Sequence, residues 1–199
     1  MNHEEESGAG LRAFIACGIS EAVRDRVREL RERLCRLEAE VKWARPESMH
    51  LTLRFLGNIG PDQVDLIDQA LAGAVAGVKP VSIEVRGFGL FPSEKRPRVI
   101  WLGLSRGGPE LAALFERLER ELIARGLGPA DKPFSPHLTL GRVKSPRGLE
   151  RALKALAREA EQSFGGFVAD RVILFQSRLR PEGALYTPLR ERALGGGQG

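Results

Sequence analysis

The tetrapeptide His-Leu-Thr-Leu occurs twice, at His50–Leu53 and at His137–Leu140, in a chain with only three histidines. The third, His3, sits in a polar N-terminal segment. Histidine titrates nearest neutrality, so a pair of imidazoles is the natural source of one general acid and one general base. Side chains two apart on a strand share a face. Each copy is thereby expected to project one imidazole with one hydroxyl, His50 with Thr52 and His137 with Thr139, while its leucines enter the core. Converging, the four groups suit a phosphodiester. One neutral imidazole takes a proton from water, one imidazolium protonates the leaving oxygen, and the threonines donate to non-bridging oxygens. The chemistry calls for no metal. Two histidines without a third His, Cys or clustered carboxylate make a poor metal site, so neither a metal nor another cofactor is expected.

The elements that must hold these groups follow from periodicity. Leu11–Ile19 reads as a buried strand. Ser20 offers an N-cap to a helix with Val23, Val27, Leu30, Leu34 and Leu37 inward. Met49–Leu56 is the first motif strand. Pro61 opens a helix with Val64, Ile67, Leu71 and Val75 on one face, and Val81–Leu90 is a strand. The order then recurs. Val99–Leu104 is a strand, and Pro109 opens a helix with Leu111, Leu114, Leu118 and Leu122 inward. Ser135–Val143 carries the second motif. A helix after Pro146 places Leu149, Leu153 and Leu156 inward. Phe167–Gln176 is read as one strand, with another at Tyr186–Leu194. Spacings around the motifs match between the halves, which predicts two similar αβ lobes related by an approximate two-fold. Residues 11–194 are expected to form one bilobal domain, with 1–10 and 195–199 as flexible tails.

Composition bounds the class. The chain has 199 residues, 42% hydrophobic and 29% charged, and a net charge of +5, as in soluble globular proteins. No apolar run reaches the ~20 residues of a membrane span, and the acidic start lacks the order of a secretory signal. A cytoplasmic protein that does not contact membranes is expected. Most of the 31 basic residues are arginine, a good planar partner for phosphate. Cys17 and Cys35 lack metal-site spacing and are read as reduced packing residues.

At these motifs the sequence resembles the 2H phosphoesterase superfamily, and more closely the bacterial and archaeal RNA 2′,3′-cyclic phosphodiesterases, historically called 2′-5′ RNA ligases. The similarity extends over RAFIAC near the start, Trp43 with Arg45-Pro46-Glu47, HLTLRFLG at His50–Gly57 and Gly87-Phe88-Gly89. It continues through FPSEKRPRVIW at Phe91–Trp101, KPFSPHLTLGR at Lys132–Arg142 and SRLRPEGALYTPL at Ser177–Leu189. The resemblance implies an α+β fold, bilobal and duplicated, with two antiparallel sheets facing a central cleft. It implies metal-free opening of a terminal 2′,3′-cyclic phosphate to a 2′-phosphate. His50 would be the proton donor, His137 the proton acceptor, and Thr52, Thr139 and Arg142 would bind substrate.

Other positions carry open readings. By parity Arg54 shares the His50 face and could cradle substrate, whereas Phe55 falls on the leucine side and is expected in the core. Trp43 and Tyr186 could stack on a base or pack. Glu94, Lys95, Arg96 and Arg98 could track an RNA backbone or form a solvated turn. The expected partner is RNA with a 2′,3′-cyclic phosphate end, with tRNA fragments or small cyclic nucleotides as candidates, bound by a monomer. Alternatives are 2′-5′ RNA ligation, the same chemistry reversed, and a non-catalytic RNA-binding module.

Overall fold

The computed structural model describes residues 10–180 and 183–195. Almost all of the two expected tails therefore lies outside the described residues. In chain order the elements are β1 (Leu11–Cys17), α1 (Glu21–Cys35), β2 (Val41–Trp43), a 3-10 turn (Pro46–Ser48), β3 (Leu51–Ile59), α2 (Gln63–Val75), β4 (Val81–Phe91) and β5 (Val99–Arg106). These are followed by α3 (Gly108–Ala124), β6 (Leu138–Val143), α4 (Leu149–Ala157), β7 (Ser163–Ala169), β8 (Arg171–Arg180) and β9 (Gly183–Ala193).

The helices form for the expected reasons. Ser20 caps α1, its hydroxyl accepting from the Val23 amide, and Val23, Val27, Leu30 and Leu34 are buried. In α3 the four leucines at 111, 114, 118 and 122 are all buried. Gly107, at φ 88°, supplies the left-handed turn into that helix, and a side chain there would also strike the Ser82 carbonyl.

All strand pairings are antiparallel. One sheet has the order β3-β1-β8-β9 and the other β2-β6-β5-β4-β7. The result is a duplicated α+β fold whose sheets face a central cleft. The strand order departs from a simple pair of half-chain lobes. Each motif strand pairs with the first strand of its own half, but β4 lies beside β5 and β8 lies beside β1. Each half thus lends two strands to the other half's sheet, β2 and β4 in one direction and β8 and β9 in the other, and one buried cluster runs through both.

The segment read as a single strand over Phe167–Gln176 is two strands in different sheets. The chain breaks at Asp170, with β7 on β4 and β8 on β1. The charged pair Asp170-Arg171 is the one mark of the change in the sequence, and both flanking strands alternate toward buried residues. Of the cysteines, Cys17 packs in the core and Cys35 is exposed rather than buried; both are free.

Candidate active site

The motif leucines do what alternation requires. Leu51, Leu53, Leu138 and Leu140 are almost wholly buried, while His50, Thr52, His137 and Thr139 are partly exposed toward the cleft. Within each sheet Thr52 lies opposite Ala16 on β1, and Thr139 opposite Trp101 on β5.

Each imidazole is oriented by its own backbone. Nδ1 of His50 lies 2.9 Å from the Ser48 carbonyl, and Nδ1 of His137 lies 2.6 Å from the Ser135 carbonyl. A carbonyl only accepts, so Nδ1 donates in both cases. Nε2 is then the nitrogen free to gain or lose a proton. A serine stands two residues before each histidine, so the duplicated unit is longer than the tetrapeptide, although the bond uses the backbone.

Aromatic rings surround both histidines. Phe14 of β1 stacks on His50 at 4.5 Å between centroids and 29° between planes, and Tyr186 of β9 meets it edge-on at 5.1 Å. Phe175 of β8 lies 6.4 Å away. His137 has Phe91 edge-on at 5.1 Å and Trp101 at 6.0 Å. Trp101 can lie flat only because Gly89 has no side chain, since a Cβ there would sit 2.1 Å from the indole. Sequence reasoning missed Phe14, Phe91, Trp101 and Phe175. Phe14 and Trp101 lie on the strands paired with the motif strands, whereas Phe175 and Phe91 lie one strand further out, where only the sheet order reveals them.

Burial is the main cause that pushes both histidines below their usual pKa, and the carbonyl contacts oppose it. Repulsion from His137 lowers His50 further, and repulsion from Arg142 lowers His137. These couplings bring the two imidazoles and Arg142 into one electrostatic site. Arg142 also acts on Tyr186, together with Arg12 of β1, against the burial that raises the phenol. Arg12 is exposed near the same ring and is a further cation that the sequence reading did not single out. Among the described residues, no three His, Cys, Asp or Glu side chains cluster to suit a metal ion.

Arg54 is not in the cleft. It is 8% exposed, with Nε 2.6 Å from the Glu119 carboxylate. It donates to the Gly128 carbonyl at 2.7 Å and the Phe55 carbonyl at 2.8 Å. Phe55, expected in the core, is 62% exposed. Both corrections have one cause, a bulge in β3. Thr52 pairs with Ala16 and Arg54 with Ile15, so Leu53 is extra and alternation reverses beyond it. Trp43 is half-buried over Gly141 and packs on the core. Glu94, Lys95, Arg96 and Arg98 are exposed in the β4–β5 turn.

Comparison with known proteins agrees with this arrangement. The family model LigT like Phosphoesterase matches twice, over residues 18–101 and 102–186, one match to each half. An RNA 2′,3′-cyclic phosphodiesterase of Methanothermobacter thermautotrophicus is 33% identical over 180 residues, 90% of this chain and 96% of the relative. One from Thermotoga maritima is 34% identical over 188 residues, 94% and 97% of the two chains. The crystal structure of TT0787 of Thermus thermophilus covers 95% of this chain and 100% of its own, with a TM-score of 0.78 and 28% identity. The fold is shared with E. coli LigT, at a TM-score of 0.73 and 23% identity. With a family match to each half and relatives aligned over nearly their whole length, the chain belongs to the LigT like Phosphoesterase family of 2H phosphoesterases.

Proposed function

We propose that the protein hydrolyses RNA 2′,3′-cyclic phosphate ends to 2′-phosphomonoesters, with His50 as proton donor and His137 as proton acceptor. The observation that carries this reading is the matched orientation of two imidazoles, each with Nδ1 held by the carbonyl two residues upstream and Nε2 left for proton transfer. The names and coverage of the relatives support the same substrate class.

In this reaction His137 Nε2 takes a proton from water as the water oxygen bonds to phosphorus. The bond from phosphorus to O3′ breaks, and His50 Nε2 protonates that oxygen. Thr52 and Thr139 donate to the non-bridging oxygens, and Arg142 offsets the developing charge. Burial disfavours a proton on either imidazole, and His137 repels one on His50 as well. Arg142 repels a proton at His137, whereas the face of Phe14 stabilises a cation at His50. A bound phosphate raises both pKa values and supplies the protonated donor. Tyr186 touches His50 and is placed to meet substrate.

Each sheet holds two strands from the other half, which supports residues 11–194 acting as one unit, and we read that unit as a monomer. No described helix is long and apolar enough to cross a membrane. Two unpaired thiols suit a reducing cytoplasm. RNA ends, such as those of tRNA fragments, and small cyclic nucleotides present the same reacting group.

The deciding experiment incubates the protein with a short RNA ending in a 2′,3′-cyclic phosphate and maps the product. A 2′-phosphate is expected, and activity should persist in EDTA. A 3′-phosphate overturns the assignment of donor and acceptor. Ligation to a 5′-hydroxyl RNA without hydrolysis would make ligation the activity, and binding without turnover would make the chain an RNA-binding module.

A further inference from the structure

Lys42 stands directly opposite Arg142 in the β2–β6 ladder, and residues that face each other across an antiparallel pair share a face of the sheet. That face is the cleft face. In β6 Thr139 pairs with Trp101 and Gly141 with Ile100, so Leu140 is extra and alternation reverses beyond it. Arg142 is thereby turned toward His137, whose proton it repels. The neighbours of Lys42 agree with this placement. Val41 is buried and Trp43 lies over Gly141 on the core side, while the lysine between them is exposed.

Two cations facing each other across a ladder repel. Among the described residues, no ion pair includes Lys42, Arg142 or the nearby Arg45. The next rung outward is balanced in sign. There Glu40 lies opposite Lys144, whose amide donates to the Glu40 carbonyl at 2.8 Å, and the Glu40 carboxylate meets Arg147 at 3.8 Å. On β9, the edge strand of the other sheet, Arg190 is paired with Asp65 and Arg192 with Asp68. The uncompensated rung is therefore the one beside the histidines. Arg45 is exposed as well, with its guanidinium beside Gly183 at the start of β9. Lys42 and Arg45 thus line the flank of the cleft where β2 nears β9.

We propose that Lys42 is the centre of a second phosphate subsite, which takes the phosphodiester joining the terminal nucleotide to the rest of an RNA chain. This rests on the function proposed above. Arg142 serves the reacting cyclic phosphate, and Lys42, one strand further out at the edge of the sheet, meets the next anion along the chain. A phosphate there supplies the negative charge that the rung lacks. Lysine is a compact point charge on a flexible stem, so the contact positions the chain without reading its bases. The subsite confers a preference for RNA ends over cyclic mononucleotides, which carry no second phosphate.

The test compares wild type, Lys42→Met and Lys42→Arg on three substrates. These are a nucleoside 2′,3′-cyclic phosphate, a short RNA with a 2′,3′-cyclic phosphate end, and the same RNA with an uncharged methylphosphonate at its last internucleotide linkage. Lys42→Met is expected to lower kcat/KM for the ordinary RNA about 3- to 5-fold at low salt, through KM with kcat nearly unchanged. It should leave the other two substrates unaffected, and Lys42→Arg should retain most of the wild-type value. The slope of log KM against log salt for the ordinary RNA should become shallower by about 0.7 in Lys42→Met, the share of one phosphate in a single strand. Equal losses on all three substrates, or no loss on the ordinary RNA, would overturn the subsite. If wild type hydrolyses none of them, the catalytic reading fails. Fluorescence anisotropy with the two RNAs then still decides: tighter binding of the phosphodiester that depends on residue 42 supports the subsite, and its absence refutes it.

Discussion

Replacing Arg54 by Met is expected to cost far more than its position beside an active-site motif suggests. The Arg54 and Glu119 side chains are only 9% and 14% exposed, so little solvent screens them. The substitution leaves the Glu119 carboxylate buried with the Ala130 amide, at 2.8 Å, as its remaining partner. It also strips the Gly128 and Phe55 carbonyls of their donor. Removing one member of a buried pair costs about 3–5 kcal/mol. At ~2–4 °C per kcal/mol for a chain of this size, Tm should fall by roughly 6–20 °C. The double substitution Arg54→Met/Glu119→Leu should recover much of this, because no lone charge remains. Urea unfolding of the four proteins, followed by circular dichroism with a shared slope, measures the coupling. Arg54 and Glu119 also tether the α3–β6 connection that leads to His137, so kcat should fall in the single variants. A single-variant cost below ~1 kcal/mol, or single costs that simply add, would refute the anchor.

Further outcomes follow from the same geometry. Either His50→Ala or His137→Ala should nearly abolish hydrolysis of the cyclic phosphate, with Thr52→Ala and Thr139→Ala milder, as single-turnover rates would show. Both histidines sit below their usual pKa, so the bell for kcat/KM should centre below the ~6.5 reference. The bell for kcat should lie higher, because bound phosphate favours protonation. An optimum for kcat/KM above pH 7 would contradict this. The same depression means that these groups stabilise the fold above pH ~6.5 and lose that contribution as pH falls through their folded pKa values. A variant with His137→Gln should show a shallower loss of stability between pH 7 and 5. Gly89→Ala drives a methyl into the Trp101 ring. An overpacking cost of about 1–3 kcal/mol is expected, with reduced turnover from the displaced wall of His137.

The helices were legible because their leucines recur at helical spacing and because Ser20 caps α1. The duplicated motif was legible because two-residue alternation holds from His50 to Leu53 and from His137 to Leu140. Alternation failed just beyond. Arg54 and Phe55 were assigned to the wrong faces, since one extra residue at Leu53 cannot be read from side-chain types. By the same rule Arg142 would have been placed on the leucine side, and it was linked to substrate by resemblance alone. The break at Asp170 escaped for a related reason: the charged Asp170-Arg171 pair fits an exposed stretch of one strand as well as a corner between two, and only the pairing partners decide.

By itself the sequence determined the reactive groups, the strands that present them and the doubling of the frame, because these depend on residue type and local period. The tertiary structure decided which strands exchange between the sheets, which rings enclose each histidine and which side Phe55 and Arg142 face. Those outcomes depend on pairing register, in which a single bulged residue reverses every position after it.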